Sequence, residues 1–245
     1  MLFGCCETIN SKVNNSKTVA HNKLNLFPVD SIKPFRTPVE ELLGKIKYAE
    51  HEDFQKANMK YCSKTIYLRE EVLAKFEEMY EAAQKDGVVL TILSGTRSFN
   101  EQKLIWERKW KKNIQLMDSI SAAKKILTYS SMPSTSRHHW GTDIDLNSFE
   151  NSYFESGKGK KVFDWLVQHA SEYGFFMPYD DKNISNRKGY NMEKWHWSYF
   201  PLADQFLKEY LSVIKCSDIS GFKGANLACS SEIDAIGSYV AGIRP

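Results

Sequence analysis

The segment TSRHHWGTDIDLN, Thr135 to Asn147, constrains the fold of this chain more than any other stretch. Its last residues alternate polar and apolar side chains, which predicts a short β-strand with Asp143 and Asp145 on one face. Gly141 allows a sharp turn before that strand, because glycine adopts backbone conformations that other residues avoid. His138, at the start of the turn, can therefore meet Asp145 at one polar site.

A second cluster of chemically competent side chains lies further along the chain. The segment EKWHWSYF alternates aromatic and polar residues, fits a strand, and contains Glu193 and His196. A catalytic zinc ion needs three protein ligands and one open position for water. His138, Asp145 and His196 supply such a ligand set, and Glu193 is a carboxylate suited to act as general base. Taken singly, each side chain also fits a core histidine or a turn-forming aspartate, so the hypothesis rests on the joint pattern.

Apolar residues recur at helical spacing in five segments. These are Glu70 to Lys85, 99 to 112, Asp118 to Tyr129, Lys160 to Tyr173, and PLADQFLKEYLSVI, which Pro201 opens. Ser98 and Glu101 form a capping box at the start of the second helix, and Gly87 and Gly174 follow the first and the fourth. The segment SEIDAIGSYVAGI predicts a further helix near the C-terminus.

Short apolar or alternating runs predict strands at Val88 to Leu93 and in the segments TDIDLN, FFMPY and KWHWSYF. Helices and short strands interleave along the chain, and the strands concentrate in its second half. This order favours an α+β domain with a small, mostly antiparallel sheet flanked by helices. Residues 1–35 are polar and typical of an N-terminal arm or tether, and residues 36–245 are expected to form one domain with a C-terminal helical extension.

The net charge of the chain excludes few kinds of partner, but it does not favour a nucleic-acid partner. The net charge is +3, from 33 basic and 30 acidic residues, which is too slight to indicate a nucleic-acid surface. The basic run WERKWKK has helical spacing and is explained more simply as a solvated helix face than as a DNA contact. No run of about 18 apolar residues occurs, so no membrane-spanning helix is expected.

None of the five cysteines lies in a CxxC pair, so a cysteine zinc site is not expected. Cys216 and Cys229 either form a disulfide in an oxidising compartment or are free buried thiols. The start of the chain has no complete secretory signal. Its Leu2-Phe3-Gly4-Cys5 segment resembles the lipobox of bacterial lipoproteins, in which the cysteine is lipidated, and a chance match in a polar terminus is the alternative.

The two clusters together resemble a known family. SRHHWGTDID is similar to the motif S-x-H-x-x-G-x-x-x-D, and EKWHWSY to the motif E-x-W-H-x-x-Y, of the VanY-type D-alanyl-D-alanine carboxypeptidases. These are zinc peptidases that trim peptidoglycan stem peptides, and they are grouped with the lysostaphin and Sonic hedgehog zinc domains. The resemblance covers roughly Leu90 to Phe206 and implies the hedgehog/D-Ala-D-Ala peptidase fold.

Carried over to this sequence, the resemblance implies one Zn²⁺ ion held by the three candidate ligands, with Glu193 as catalytic base. SGTRSFNEQ resembles the family element S-G-x-R-S-x-x-x-Q. Arg97 would then bind the terminal carboxylate of the substrate or polarise its carbonyl, and a planar guanidinium suits that task. A surface ion pair is the alternative for Arg97. Ser136 would donate a hydrogen bond to substrate, and Gln102 would line or brace the site.

Asp143 departs from the pattern, because the family often has alanine there. It is expected to support a metal ligand or to compete as one, whereas His139 is expected to be a neighbour only. Four aromatic residues either line a substrate groove or pack in the core, and core packing is expected for at least half of them. They are Trp140, Trp195, Trp197 and Tyr199.

The expected reaction is removal of the terminal D-Ala from D-Ala-D-Ala pentapeptide stems. An L,D-carboxypeptidase acting on tetrapeptide stems is the close alternative, followed by an endopeptidase or phage-type lysin, against which a carboxylate-binding Arg97 argues. The alternative that is not an enzyme is a non-catalytic, zinc-containing binding module, as in Sonic hedgehog. The substrate implies that the protein is located in the bacterial cell envelope, either in the periplasm or anchored to a membrane by a lipid on Cys5.

Overall fold

Helices make up most of the secondary structure in the part of the chain that the computed structural model describes, residues 37–243. They are Val39–Leu42 (α1), Glu70–Lys85 (α2), Phe99–Asn113 (α3), Ser119–Ile126 (α4), Gly157–His169 (α5), Lys182–Ser185 (α6) and Phe200–Val213 (α7). The predicted arm at 1–35 and Cys5 lie outside the described residues, so both stay predictions. No helix among residues 37–243 has the length and apolarity to cross a membrane.

Six short strands form two antiparallel sheets within the same residues. They are Phe54–Lys56 (β1), Tyr67–Arg69 (β2), Ile92–Ser94 (β3), Asp143–Leu146 (β4), Phe175–Phe176 (β5) and His196–Tyr199 (β6). β1 and β2 pair with each other, and the larger sheet has the order β3-β4-β6-β5. Helices flank this small antiparallel sheet, which confirms the predicted α+β class.

The larger sheet and α2 share the main hydrophobic core. α2 buries one apolar face, including Phe76 and Met79, in the cluster that also holds Ile144 and Leu146 of β4. The apolar residues of α2 recur at helical spacing, so a single stripe reaches the sheet. Burial of a side chain of this size contributes about 1.5–3 kcal/mol, and the core thereby fixes β4, the strand that carries the two aspartates.

α3 begins where its sequence predicts and packs into a second core. Glu101 N donates to Ser98 Oγ at 3.3 Å, and Ser98 N donates to Glu101 Oε2 at 2.7 Å, which completes the capping box. Trp106 and Trp110 stack at 6.1 Å on the buried face of the helix. Trp106 Nε1 also donates to Lys223 O at 2.8 Å, so the C-terminal segment is attached to α3.

Several predicted boundaries are wrong. The strand expected at Val88 to Leu93 begins only at Ile92, because Val88 N donates instead to Ala83 O at the end of α2. The strand expected in FFMPY stops at Phe176, two residues before Pro178, which has no N–H to give to a ladder. The last turn of the helix expected to reach Tyr173 is a 3-10 helix, and the C-terminal helix is a single π-helical segment, Ala235–Val240.

The C-terminal segment is cross-linked. Cys216 and Cys229 form a disulfide with Cα atoms 5.5 Å apart, which decides between the two alternatives that the sequence leaves open. Cys62 is a free buried thiol. The β1–β2 hairpin was not predicted, since each strand has only three residues and no turn motif joins them.

Candidate metal and substrate site

The candidate ligands meet at the centre of the larger sheet. Asp145 on β4 lies opposite Ser94 of β3 on one side and His196 of β6 on the other. His138 comes from the 3-10 turn Arg137–Trp140, which ends at Gly141 with φ of 74°. A Cβ atom at Gly141 would approach the Phe54 ring to 2.4 Å, so glycine is required both for the left-handed backbone and for space.

Each histidine presents one ring nitrogen to Asp145 and is held through the other. His138 Nε2 lies 3.3 Å from Asp145 Oδ2, while its Nδ1 lies 2.8 Å from the carbonyl oxygen of Gly95. His196 Nδ1 lies 3.0 Å from Asp145 Oδ1, while its Nε2 lies 2.7 Å from Asp143 Oδ2. Because an oxygen can accept from the far N–H of each ring, the neutral forms of His138 and His196 carry their lone pairs on the near nitrogens, where a metal ion can bind.

This donor set fits a zinc ion. The ligand atoms of His138, Asp145 and His196 lie within 4.8 Å of one another, and all three residues are buried. Asp145 Oδ1 is buried without a hydrogen-bond partner, which is costly unless a cation satisfies it. Two imidazole nitrogens and one carboxylate leave an open position in a tetrahedral site, the arrangement of catalytic rather than structural zinc.

Asp143 supports His196 and lies outside the ligand group. Its Oδ2 also accepts from Arg137 Nε at 3.1 Å, and its Oδ1 accepts from Ser198 Oγ and Thr142 Oγ1, both at 2.7 Å. Burial by itself raises the pKa of Asp143, but the Arg137 guanidinium and the His196 ring outweigh burial and hold that pKa below its ordinary value. The carboxylate is therefore ionised and fixes the orientation of the His196 ring.

Glu193 lies beside the ligand group on the segment that leads into β6. Its backbone N–H donates to Tyr179 O at 3.0 Å, and its carbonyl accepts from His196 N at 3.1 Å, so the turn is held at both ends. Glu193 Oε2 is 3.6 Å from His196 Nδ1. Burial raises the pKa of the Glu193 carboxyl to about 8. The side chain is adjacent to the donor atoms without belonging to the ligand group.

Arg97 points into the same site and is braced by neighbours. Its Nη1 donates to Gln102 Oε1 at 2.6 Å, and its Nη2 donates to Ser94 Oγ at 3.2 Å and lies 3.6 Å from Asp145 Oδ2. Gln102 is fully buried and in turn donates to Ser131 O at 2.7 Å. Gln102 thus links Arg97 to the backbone at Ser131, and its predicted role in the site stays a prediction.

His139 lies outside the ligand group, and its ring holds the Arg97 loop. Ser134 N donates to His139 Nε2 at 3.0 Å, so the proton of the neutral ring is on Nδ1, which lies 2.6 Å from Arg97 O. Burial lowers the pKa of His139 to about 3. The ring is therefore neutral at neutral pH and serves as a fixed link between two loops.

A cleft of about 1070 Å³ opens over the ligand group. Ser136 lines it, as do Arg97 and Glu193, so the predicted substrate contacts face one space. Of the four aromatic residues considered from the sequence, Trp195 lines the cleft, and the others are buried in the core, as expected for at least half. The core members are Trp140, Trp197 and Tyr199.

Comparison with known proteins identifies the family. The model of the VanY family, described as D-alanyl-D-alanine carboxypeptidase, matches residues 65–202, which include every candidate site residue above. The chain belongs to the VanY family. This membership confirms the resemblance inferred from the two motifs.

Two curated relatives are similar over part of their length. "Putative carboxypeptidase YodJ" of Bacillus subtilis (strain 168) is 27% identical over 188 residues, which cover 73% of this chain and 62% of that protein. A D-alanyl-D-alanine carboxypeptidase of Enterococcus faecalis (strain ATCC 700802 / V583) is 28% identical over 126 residues, 50% of this chain and 44% of that protein. The chain therefore spans less than two thirds of either relative.

The solved structure of the LdcB LD-carboxypeptidase has the same fold. It matches with a TM-score of 0.51 and 23% identity, and the match covers 70% of this chain and 81% of that one. At this level of identity the likeness concerns the fold alone. It agrees with the peptidase-like α+β architecture expected from the sequence.

The VanY motifs do not mark every residue that faces the cleft. Tyr129 and Phe149 line the cleft, and their ring centroids lie 6.1 Å and 6.5 Å from that of Trp195. Arg108 and Lys109 of α3 line the same cleft. The only sequence signal for this basic pair was the run WERKWKK, which was interpreted as a solvated helix face.

Proposed function

We propose that this chain is a zinc-dependent D-alanyl-D-alanine carboxypeptidase that hydrolyses the terminal peptide bond of peptidoglycan stem peptides. One observation carries the proposal. The donor atoms of His138, Asp145 and His196 converge within 4.8 Å, with Glu193 beside them and Arg97 in the same cleft. Membership of the VanY family supports the same reaction.

His138 Nε2, His196 Nδ1 and the Asp145 carboxylate would hold the zinc ion. When bound, zinc supplies Lewis acidity that lowers the pKa of water to about 7 and polarises a carbonyl group. Asp143 and the Gly95 carbonyl keep the two rings in the tautomers that this ligation needs. Buried support of this kind holds the ligands in place before substrate arrives.

Glu193 is the proposed general base and then the general acid. Its carboxylate oxygen takes the proton from the attacking water and later gives it to the amine of the departing residue. It is 5% exposed, so bulk water competes little for that proton. The backbone hydrogen bonds on both sides of Glu193 fix the position from which the carboxylate acts.

Arg97 is the proposed receptor for the C-terminal carboxylate of the substrate. Its guanidinium is held by Gln102 and Ser94 on one side, so its remaining N–H groups can face the cleft. A carboxylate bound there places the last peptide bond next to Glu193, and the enzyme removes one residue at a time. Ser136, which lines the same space, is proposed to donate a hydrogen bond to the peptide.

We also propose a location in the bacterial cell envelope. The disulfide between Cys216 and Cys229 supports it, because disulfides persist mainly in oxidising compartments. Attachment through a lipid on Cys5 remains a proposal about a residue outside the described range.

Mass spectrometry of defined stem peptides tests the function. Zinc-loaded protein is incubated with a pentapeptide ending in D-Ala-D-Ala and with a tetrapeptide ending in one D-Ala, and a chelated sample is the control. We expect loss of one D-Ala from the pentapeptide, abolished by chelation. Cleavage of the tetrapeptide alone would indicate an L,D-carboxypeptidase, and cleavage of neither by zinc-loaded protein would contradict the proposal.

A further inference from the structure

One face of α3 forms a wall of the cleft, and it carries a charge pattern that the proposed reaction does not use. Glu101, Ile105, Arg108 and Lys109 line the cleft. These positions share a side of an α-helix, since residues three, four, seven and eight apart lie along one stripe. The opposite side of α3 is held in the core by Trp106 and its neighbours. The wall is therefore rigid.

Neither cation of this wall forms a salt bridge with an acidic side chain among residues 37–243, and Lys109 interacts only at longer range with the Glu193 carboxyl. Lys109 Nζ donates to the Ser130 hydroxyl, a neutral group, and forms no ion pair there. Burial lowers the pKa of Lys109, which reflects the loss of water around its amine. The side chain of Arg108 is exposed at the cleft and forms neither a hydrogen bond nor a salt bridge with the described residues.

The acidic residue on the same wall, Glu101, already accepts hydrogen bonds from neighbouring side chains. Glu101 accepts hydrogen bonds from Tyr48 OH at 2.9 Å and from Ser98 Oγ at 2.7 Å. It also lies almost two helical turns from the basic pair, since Arg108 is seven positions further along α3. Glu101 therefore does not neutralise the basic pair, which can bind an anion that enters the cleft.

The position of the basic pair along α3 gives its approximate distance from Arg97, the proposed receptor for the terminal carboxylate of the substrate. Gln102, which holds Arg97, lies six residues before Arg108 and seven before Lys109, or about 9 Å and about 10.5 Å along the helix axis. An extended peptide covers that distance in about three residues. A substrate whose terminal carboxylate is on Arg97 would therefore bring its third or fourth residue from the end beside the basic pair.

We propose that Arg108 and Lys109 bind a second carboxylate of the substrate, carried about three residues before the C-terminus. The proposal deepens the proposed function and rests on it. The substrate class is then a peptide with two carboxylates, and a peptide in which the upstream carboxylate is an amide is a poor ligand. The basic pair sets specificity and takes no part in the bond cleavage.

Binding to matched peptides tests this inference. The ligands are two synthetic pentapeptides ending in D-Ala-D-Ala that differ only in a carboxylate or a carboxamide three residues before the end. Isothermal titration calorimetry uses the zinc-loaded full chain carrying Glu193→Gln, which prevents turnover. Arg108→Gln is added to this background, and Lys111→Gln on the same helix is the charge-matched control, because Lys111 does not line the cleft.

We expect the peptide with the upstream carboxylate (the acid peptide) to bind about tenfold more tightly than the peptide with the carboxamide (the amide peptide). This factor is at the low end of the contribution of a hydrogen bond to a charged group. Arg108→Gln should bring that ratio close to one, and Lys111→Gln should leave it unchanged. A ratio near one in the parent, or a ratio that survives Arg108→Gln, overturns the inference. Because binding is the readout, this result is independent of whether the peptide is cleaved.

Kinetics with active protein separate the basic pair from an effect on Glu193. Lys109→Met should raise KM for the acid peptide by a larger factor than KM for the amide peptide. A fall in kcat for both peptides alike would mean that Lys109 acts on Glu193 and would remove it from the proposed anion site. Cleavage of neither peptide by the parent protein would contradict the proposed function alone.

Discussion

Replacing Asp143 with asparagine perturbs the buried charges beneath the candidate metal site. The substitution keeps the size of the side chain, and the remaining oxygen can still accept from Thr142 and Ser198. The second oxygen becomes an NH₂ group, which cannot accept the hydrogen bonds that Arg137 and His196 donate. Both of these donors are buried and would lose their acceptor.

Two losses of different kinds follow from Asp143→Asn. Arg137 keeps its charge without a carboxylate, and breaking a buried ion pair costs about 3–5 kcal/mol. In a domain of this size each 1 kcal/mol lowers the melting temperature by about 2–4 °C, so the total shift is about 6–20 °C. His196 loses the group that orients its ring, and loss of such a partner lowers metal affinity by about 10–100-fold.

Thermal unfolding of the metal-free protein measures the first loss, and competition with a chromogenic zinc chelator measures the second. Asp164→Asn is the matched control, because Asp164 is exposed and pairs with Lys160 on the surface of α5, where such a pair contributes at most about 1 kcal/mol. Melting and zinc affinity equal to wild type in Asp143→Asn would refute the reasoning. Complete loss of zinc binding would instead make Asp143 a ligand.

Three further substitutions test other parts of the site and the fold. Glu193→Gln should leave zinc bound and lower the rate of D-Ala release by at least about 100-fold, because the amide cannot take the proton. Kinetic assays, with zinc content measured in parallel, check this expectation. Retained activity would mean that another residue is the base. Arg97→Gln should weaken binding of a peptide with a free C-terminal carboxylate by about 10–100-fold in calorimetry, and unchanged affinity would leave Arg97 a structural role. Joint replacement of Cys216 and Cys229 by serine should lower the free energy of unfolding by about 3 kcal/mol, because a disulfide that closes a loop of about 15 residues stabilises a protein by about that amount. An unchanged midpoint of urea unfolding would contradict this prediction.

The sequence predicted those elements whose signals are local. α2 carries an uninterrupted apolar stripe, and α3 has a capping box before it, so the existence of both helices follows from residues close in the chain. The two motifs likewise predicted which side chains would meet, since each contains its own turn or strand. Membership of the VanY family explains why their spacing was informative.

The features that sequence reasoning missed depend on contacts between distant segments. The β1–β2 hairpin has strands of three residues, and its Arg69 lies beneath the turn that holds His138, with Nε donating to Trp140 O at 2.7 Å. The position of Arg108 and Lys109 beside the cleft becomes evident only from the tertiary structure, in which α3 forms a wall of the cleft. A helical pattern identifies the polar face of a helix, but whether that face meets water or a binding site depends on tertiary structure.

The most direct test of the central claim is D-Ala release from the pentapeptide as Zn²⁺ is added back to metal-stripped protein. We expect no activity at the start, a linear rise, and a plateau at one equivalent of zinc. The Glu193→Gln protein should bind the same amount of zinc and remain inactive. Full activity of the stripped protein, or recovery of activity by the Glu193→Gln protein, would contradict it.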